Sequence, residues 1–428
     1  MMMQRILVIQ AAALGHNLVQ TLKPDMQIAG LELHPLQPVF PAVTCTAQAT
    51  FRTATTPDQH GMVGNGFFDR TYHKALFWEQ SSSLYHGQRI WDSFRQRGGT
   101  VGQMFWQQSL GQDSDLILSP APIHKHGGGM IQDCFSKPAE LYPALASKIG
   151  KFGLQNYWGP LASARSTQWI TAATCEVMAS EFAPDLLLTY LPHLDYGLQK
   201  SGPSAAAAGK EFGVLQSCLE TIVAGATEND YAVLLFSDYA IADVSRPVFP
   251  NQLLLDNDLL HVRHVKNMQY PDLHTSNAFA VVDHQVAHVI CDSPAATAAA
   301  QELLAAQPDI ELALDRDAQA AHNIDHARAG ELVLLAAPGA WFAYPWWHTR
   351  RQAPDYATHV DIHNKPGYDP CELFFGPFLG TSQNHARIRG SHGRIDSNAV
   401  YGTNLELQSR EPGTLVDLAA ALGEVLDA

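Results

Sequence analysis

Three short, unbroken apolar runs constrain most tightly what this chain can fold into. They are Ile6-Leu7-Val8-Ile9, the leucines of 185–190, and 231–236. Each is too short for a buried helix and shows no polar alternation, the pattern of a parallel strand covered on both faces. Each gives way to a polar stretch: Gln10 with AAALGHN, then 192–200, then Ser237-Asp238-Tyr239. Helical periodicity at 163–181 and 205–226 intervenes. Strand, polar loop and helix in recurring order specify an α/β fold, a doubly wound and mostly parallel sheet with helices on both faces. In such a sheet the functional loops gather at the carboxyl ends of the strands.

The rhythm loosens after about Val244. We read 1–245 as the first part of a core, 246–385 as an inserted α+β cap, and 386–428 as the return to the core. That return carries Gly390-Ser391-His392-Gly393-Arg394 and a helix from about Thr414. A chain of 428 residues is long enough for a core of this size.

Charge narrows the function. A formal net charge of −15 argues against a general nucleic-acid binder, because that affinity rests on Lys and Arg neutralising phosphates. A small anionic substrate held at a local cationic site stays compatible. Six cysteines without a C-x-x-C spacing indicate neither a zinc knuckle nor a disulfide framework. No apolar run reaches the length of a membrane span, and the chain enters a strand at once without a leader pattern; the expectation is a cytoplasmic protein. Oligomeric state is not legible.

The stretch 40–65, FPAVTCTAQATFRTATTPDQHGMVGN, is the candidate seat of chemistry. Phe40–Val43 reads as the end of a buried strand, and Thr44 as the N-cap or first-turn residue of a helix to about Thr53. Unpaired N–H groups and the positive end of the helix dipole at that place favour an alkoxide on Thr44 and a phosphoryl oxygen beside it. An ordinary helix cap is the other reading of the same residue. Thr44, Asp195, Asp238 and His392 all follow strands or loops at one sheet edge. Carboxylates, an imidazole and a hydroxyl form the ligand mix of a hydrolytic metal site.

On these residues the chain resembles the alkaline phosphatase superfamily, in its type I phosphodiesterase/nucleotide pyrophosphatase branch. The branch has a threonine nucleophile opening a helix, then T-G-x-x-P-x-x-H-G-I-x-x-N. Thr53, Pro57, His60, Gly61 and Asn65 match, with Ala54 for the glycine and Met62 for the isoleucine. Ile90-Trp91 through Phe105-Trp106 is similar to the branch's I-W…F-F-W segment.

The resemblance implies an alkaline-phosphatase-like core and a metal-dependent hydrolase of phosphodiester, pyrophosphate or phosphonate bonds. Thr44 would form a covalent intermediate and Asn65 would hold a non-bridging oxygen. Asp195 and His392 would bind one divalent cation; Asp238, with Thr44, would bind the other. Zinc is implied, with magnesium, manganese or calcium as alternatives. The substrate would be a small phosphoryl or phosphonyl anion. Three implied ligands are replaced, by Gln10, Gln199 and Tyr239, and neutral amides and phenols suit a zinc pair poorly. A phosphonate hydrolase, a phosphotransferase and a weakened binding protein with a degenerate metal site are the alternatives.

Other clusters are candidates to complete the site. Asp361 and His363 would share a face if they stood on a strand. Asp283, His284 and His288 form a second group. His124, Lys125 and His126 form a third, with Lys125 as the candidate substrate-anion contact. The aromatic run 341–347 offers either a stacking wall or the cap's own core.

Overall fold

A computed structural model describes residues 4–407 and 411–428. The apolar runs form the middle of one eight-stranded sheet. In chain order its strands are β1 (Arg5–Ala11), β2 (His34–Leu36), β3 (Val101–Met104), β4 (Leu116–Pro120), β5 (Cys134–Lys137), β6 (Leu186–Leu191), β7 (Tyr231–Phe236) and β8 (Ala399–Thr403). Their order across the sheet is β5-β4-β3-β6-β1-β7-β8-β2. Pairing is parallel from β4 to β7 and antiparallel at both edges. This is the doubly wound, mostly parallel α/β sheet that the repeated strands imply. The interior of β1 is fully buried, which explains why its sequence lacks alternation.

Register positions the site. Gln10 lies level with Tyr190 of β6 and Phe236 of β7. The residues that follow each strand therefore emerge at one edge. The helix Thr44–Thr53 lies with all ten residues buried, and its Phe51 ring stacks on Phe236 at 4.5 Å between centroids.

Two local expectations change. Phe40–Val43 forms no strand; Pro38 and Pro41 lack the N–H groups a ladder needs, and Val43 is extended as the N-cap of the helix. The stretch after β6 is a helix, His193–Ser201, instead of a loop. Leu194 and Leu198 bury one of its faces at i, i+4, so Asp195 and Gln199 lie one turn apart on another.

Much of 246–385 builds its own core. Strands Ala278–Asp283, Val286–Cys291, Leu332–Ala336 and Ile310–Leu314 form a four-stranded sheet in that order, covered by the helix Pro294–Ala305. Phe342, Tyr344, Trp346 and Trp347 are buried in this core, as is Trp341 in a smaller cluster beside it. The aromatic run is therefore packing, not a stacking wall. Phe68 and Phe77 join the same core from the hairpin Gly66–Asp69/Lys74–Phe77, with Phe68 edge-on to Phe279 at 4.8 Å.

The tip of the first hairpin of this second sheet reaches back to the core. Gln285 N–H donates to His392 O at 2.9 Å, and Asp283 and His284 stand beside it. The segment leading to Asn65 is pinned by two buried imidazoles. In His60, Nδ1 accepts Met62 N–H at 3.1 Å and Nε2 meets Thr50 Oγ1 at 2.9 Å. In His288, Nδ1 accepts Gly330 N–H at 3.2 Å and Nε2–H donates to Val63 O at 3.0 Å. A second proton on either ring would face a main-chain N–H. Burial lowers His60 to about 3 and His288 to about 4.

Because these folded values lie below the usual 6.5, their stabilisation is present above that pH and is lost as pH falls toward 4. The stability advantage of the wild type over His288→Gln is expected to shrink across pH 6.5 to 4 by on the order of 3 kcal/mol. A thermal-melt series at each pH checks this; parallel curves for the two proteins would show that His288 does not carry the effect.

Candidate active site

Thr44 is the first residue of its helix, after Val43 as the N-cap, and its hydroxyl bonds outside the helix. It donates to Asp238 Oδ2 at 3.2 Å, with Tyr239 OH 3.4 Å away. The helix-cap reading of Thr44 therefore fails. Cys45, next in sequence, is no rival nucleophile. Its thiol is buried and pushed up to about 12 by desolvation, so it stays protonated.

Asp238 follows β7 and is fully buried. Besides Thr44 it accepts Gln10 Nε2–H at 2.7 Å and Ala13 N–H at 3.2 Å. Ala13 holds a left-handed φ of 63°, a conformation unusual for a residue with a Cβ, which belongs to the turn presenting this N–H. Gln10 Oε1 accepts Gln48 Nε2–H at 2.8 Å, and Gln48 Oε1 accepts Gln107 N–H at 2.7 Å. Gln48 lies one helical turn after Thr44, an i, i+4 relation readable in the sequence and overlooked.

Asp195 accepts Tyr239 OH at 3.2 Å and, from one turn along its own helix, Gln199 Nε2–H at 2.7 Å. Gln199 Oε1 accepts Tyr368 OH at 2.8 Å. His392 lies against the same group: its Nε2 is 3.8 Å from Asp195 Oδ1, and its ring stacks on Tyr239 at 3.5 Å. Its Nδ1 is 2.9 Å from Ala42 O, a pure acceptor, so Nδ1 carries the proton and Nε2 is bare. Gly390 allows this approach, because a Cβ there would lie 2.2 Å from Leu198 O.

Burial pushes Asp195 up to about 7, with the charge of Asp238 adding to it. Burial also pushes Asp238 up to about 7 against the opposing bonds from Gln10, Ala13 and Thr44. Burial, then the neighbouring His284, keep the His392 imidazole well below its usual range and neutral.

Asn65 stands at the helix start, its Oδ1 accepting Cys45 N–H at 3.0 Å. One N–H of its amide donates to Asp283 Oδ1 at 3.1 Å, and its main-chain N–H donates to Asp283 Oδ2 at 2.7 Å. Asp283 also meets His284 Nδ1 at 2.7 Å, and the His284 ring lies 3.8 Å from that of His392 and 3.7 Å from that of Tyr368. The Asp283/His284 pair thus joins the Thr44 group, whereas both ring nitrogens of His288 are taken by main-chain groups of Val63 and Gly330.

The other two clusters do not join it. Asp361 and His363 occupy a turn, not a strand; Asp361 closes it by accepting the N–H groups of His363 and Asn364, and His363 Nδ1 bonds Phe77 O. The turn forms because an aspartate readily accepts N–H groups two and three residues on. His124, Lys125 and His126 are exposed on the small hairpin Ile123–His124/Met130–Ile131. Its Gly-rich tip is too polar to bury.

What a divalent ion would meet follows from these donors. Gln10 turns N–H, not a carbonyl, toward Asp238, so the Asp238 side does not fit a cation. Asp195 with the bare Nε2 of His392 does present acceptors. Among the described residues, no three His, Cys, Asp or Glu side chains stand together as a metal cluster.

The family model for type I phosphodiesterase / nucleotide pyrophosphatase matches residues 22–369. The chain belongs to this family. Solved structures agree on the fold. Murine ectonucleotide pyrophosphatase / phosphodiesterase 5 is 14% identical, with a TM-score of 0.61 over 99% of this chain and 95% of that one. An inactive form of the murine protein in complex with AMP is 13% identical at the same TM-score, over 99% and 95% of the two chains. Phosphonoacetate hydrolase from Sinorhizobium meliloti, in complex with phosphonoformate, is 13% identical with a TM-score of 0.61, over 99% and 96% of the two chains. The type I phosphodiesterase family fold is thus an alkaline-phosphatase-like α/β sheet here as well.

One buried ion group supports Tyr368. Lys365 Nζ donates to Glu372 Oε1 at 2.6 Å and Asp369 Oδ2 at 2.9 Å, and Trp158 Nε1–H donates to Glu372 Oε2 at 2.6 Å. All three charged side chains are nearly inaccessible. Lys365→Met would leave two buried carboxylates without their cation, and the expected loss is about 3–5 kcal/mol. Chemical denaturation of wild type and variant checks this; a loss under about 1 kcal/mol would mean that the group is solvated.

Proposed function

We propose that this protein hydrolyses small phosphoryl or phosphonyl substrates, with Thr44 as the nucleophile. The observation that carries the reading is the Thr44 hydroxyl, bonded to Asp238 at the start of a buried helix instead of capping it. Membership of the family supports a phosphodiester or pyrophosphate substrate. The likeness to a phosphonoacetate hydrolase keeps phosphonates in the same class.

Thr44 Oγ1 attacks phosphorus, its proton passes to Asp238 Oδ2, and the bond from phosphorus to the leaving oxygen or carbon breaks. Asp238, raised toward neutrality by burial, is matched to that proton. The Asn65 amide has a second N–H beyond the one given to Asp283, and it is the candidate donor to a phosphoryl oxygen. Water then displaces Thr44 from phosphorus, Asp238 returns the proton to Oγ1, and the proton lost by water goes to the leaving group.

Charge is the outstanding demand. Asp195, Asp238 and Asp283 are buried together, and the basic side chains within 4 Å of them are the imidazoles of His284 and His392, with no Lys or Arg among the described residues. A divalent ion held by Asp195 and His392 would polarise the phosphoryl group and offset that negative charge. Tyr368, bonded to Gln199, also lines a small cavity with Trp78, Trp158, Asp361 and Lys365. The six unpaired cysteines support a reducing, cytoplasmic setting.

Turnover of bis(p-nitrophenyl) phosphate, a nucleotide pyrophosphate and phosphonoacetate tests the reading. Thr44→Ala is expected to lower kcat by at least ~10³-fold on whichever is used. Asp238→Asn is expected to lower it by about 10²-fold or more. Turnover that survives Thr44→Ala would eliminate the threonine mechanism. Tight binding of the same compounds without any turnover in the wild type would point to a binding protein.

A further inference from the structure

We infer that this protein binds one divalent cation, at Asp195, Gln199 and His392, where its family resemblance implies two, and that Gln10 and Tyr239 close the other position. This deepens the reading of the Thr44 site and rests on it for its purpose, but stoichiometry is measured without turnover, so either can fail alone.

Gln10 and Gln199 look equivalent in the sequence: each is an amide in place of an implied ligand, and each sits beside a carboxylate. The structure separates them by what lies behind each amide. Behind Gln10 the chain of bonds ends on the main-chain N–H of Gln107, which can only donate. Gln48 must therefore turn Oε1 to Gln107 and its N–H to Gln10. Gln10 must in turn direct its own N–H at Asp238 Oδ2.

Gln10, Gln48 and Asp238 are all fully buried. Reversing Gln10 to offer a carbonyl would set an amide N–H against a main-chain N–H, at a cost of about 1–3 kcal/mol for each buried donor left unmatched. Ala13 N–H adds a second fixed donor at Asp238 Oδ1. Both Asp238 oxygens are thus already taken by donors, Oδ2 by Gln10 and Thr44 and Oδ1 by Ala13.

Behind Gln199 lies the hydroxyl of Tyr368, which both donates and accepts. Either orientation of the Gln199 amide is matched there, so its carbonyl is available to an ion beside Asp195. His392 supplies the independent observation. It is 2% exposed, its Nδ1–H is committed to Ala42 O, and its bare Nε2 points at Asp195 Oδ1 from 3.8 Å. Asp195 Oδ1 accepts the Tyr239 hydroxyl at 3.2 Å, but a phenol can turn its proton to Thr44 Oγ1, 3.4 Å away on the Asp238 side. Nε2 and Oδ1 at their separation then fit two ligands of one ion, each about 2.0–2.2 Å from it. A mixed imidazole, carboxylate and carbonyl set suits zinc or manganese.

Metal-stripped protein, dialysed to equilibrium against Zn2+ or Mn2+ and analysed for bound metal, tests the inference. The expected content is one equivalent in the wild type and in Asp238→Asn. His392→Ala and Asp195→Asn are expected to bind none while keeping the wild-type near-ultraviolet circular dichroism. The double variant Gln10→Asp/Tyr239→His is expected to bind two. Two equivalents in the wild type, none in the wild type, or one retained in folded His392→Ala would each overturn the single site. A double variant that stays at one would overturn the assignment of the block to Gln10 and Tyr239.

Discussion

The polarity of one buried hydrogen-bond chain governs the site. It runs from the main-chain N–H of Gln107 through Gln48 and Gln10 to Asp238, and Thr44 donates to the same carboxylate. Only its first member is main chain, yet that member fixes every amide after it. The sheet makes the chain possible. The register of β1 against β7 brings Gln10 level with Phe236, two residues before Asp238. The burial of the Thr44–Thr53 helix brings Gln48 and Thr44 to the same edge.

This wiring bears on how a buried carboxylate is tolerated. An uncompensated charge in a protein interior costs several kcal/mol and shifts its pKa until it is neutralised. Asp238 receives three donors and Asp195 two, and burial still holds both near neutrality. Fixed dipoles thus meet part of the demand and a proton or a cation the rest. The second sheet contributes through its hairpin tip, where Asp283 orients the amide of Asn65 and His284 lies over His392. The two sheets are therefore coupled at the site.

The fold was largely legible, because strands buried on both faces must be continuously apolar and β1, β6 and β7 are. Thr44, Asn65, Asp195, Asp238 and His392 were legible as a set, and the structure brings them together. The helix at 193–201 was misread because its polar residues outnumber its apolar ones, although Leu194 and Leu198 carried the i, i+4 signal. Gln48 was within reach by the same spacing from Thr44. Tyr368 gave no sequence signal at all, since it reaches Gln199 across 169 positions of chain. Nor is the direction of an amide dipole written in sequence: Gln10 and Gln199 differ only in the partners that tertiary packing sets behind them.

The role of Thr44 is tested most directly by catching the enzyme in mid-reaction. Wild-type protein mixed with an activated phosphodiester or phosphonate, quenched in acid within one turnover and digested, would be read by tandem mass spectrometry. A phosphoryl or phosphonyl group on Thr44, reduced in Asp238→Asn and absent from Thr44→Ala, is the expected result. Multiple turnovers with no adduct at any quench time, or an adduct on another side chain, would contradict a threonine nucleophile.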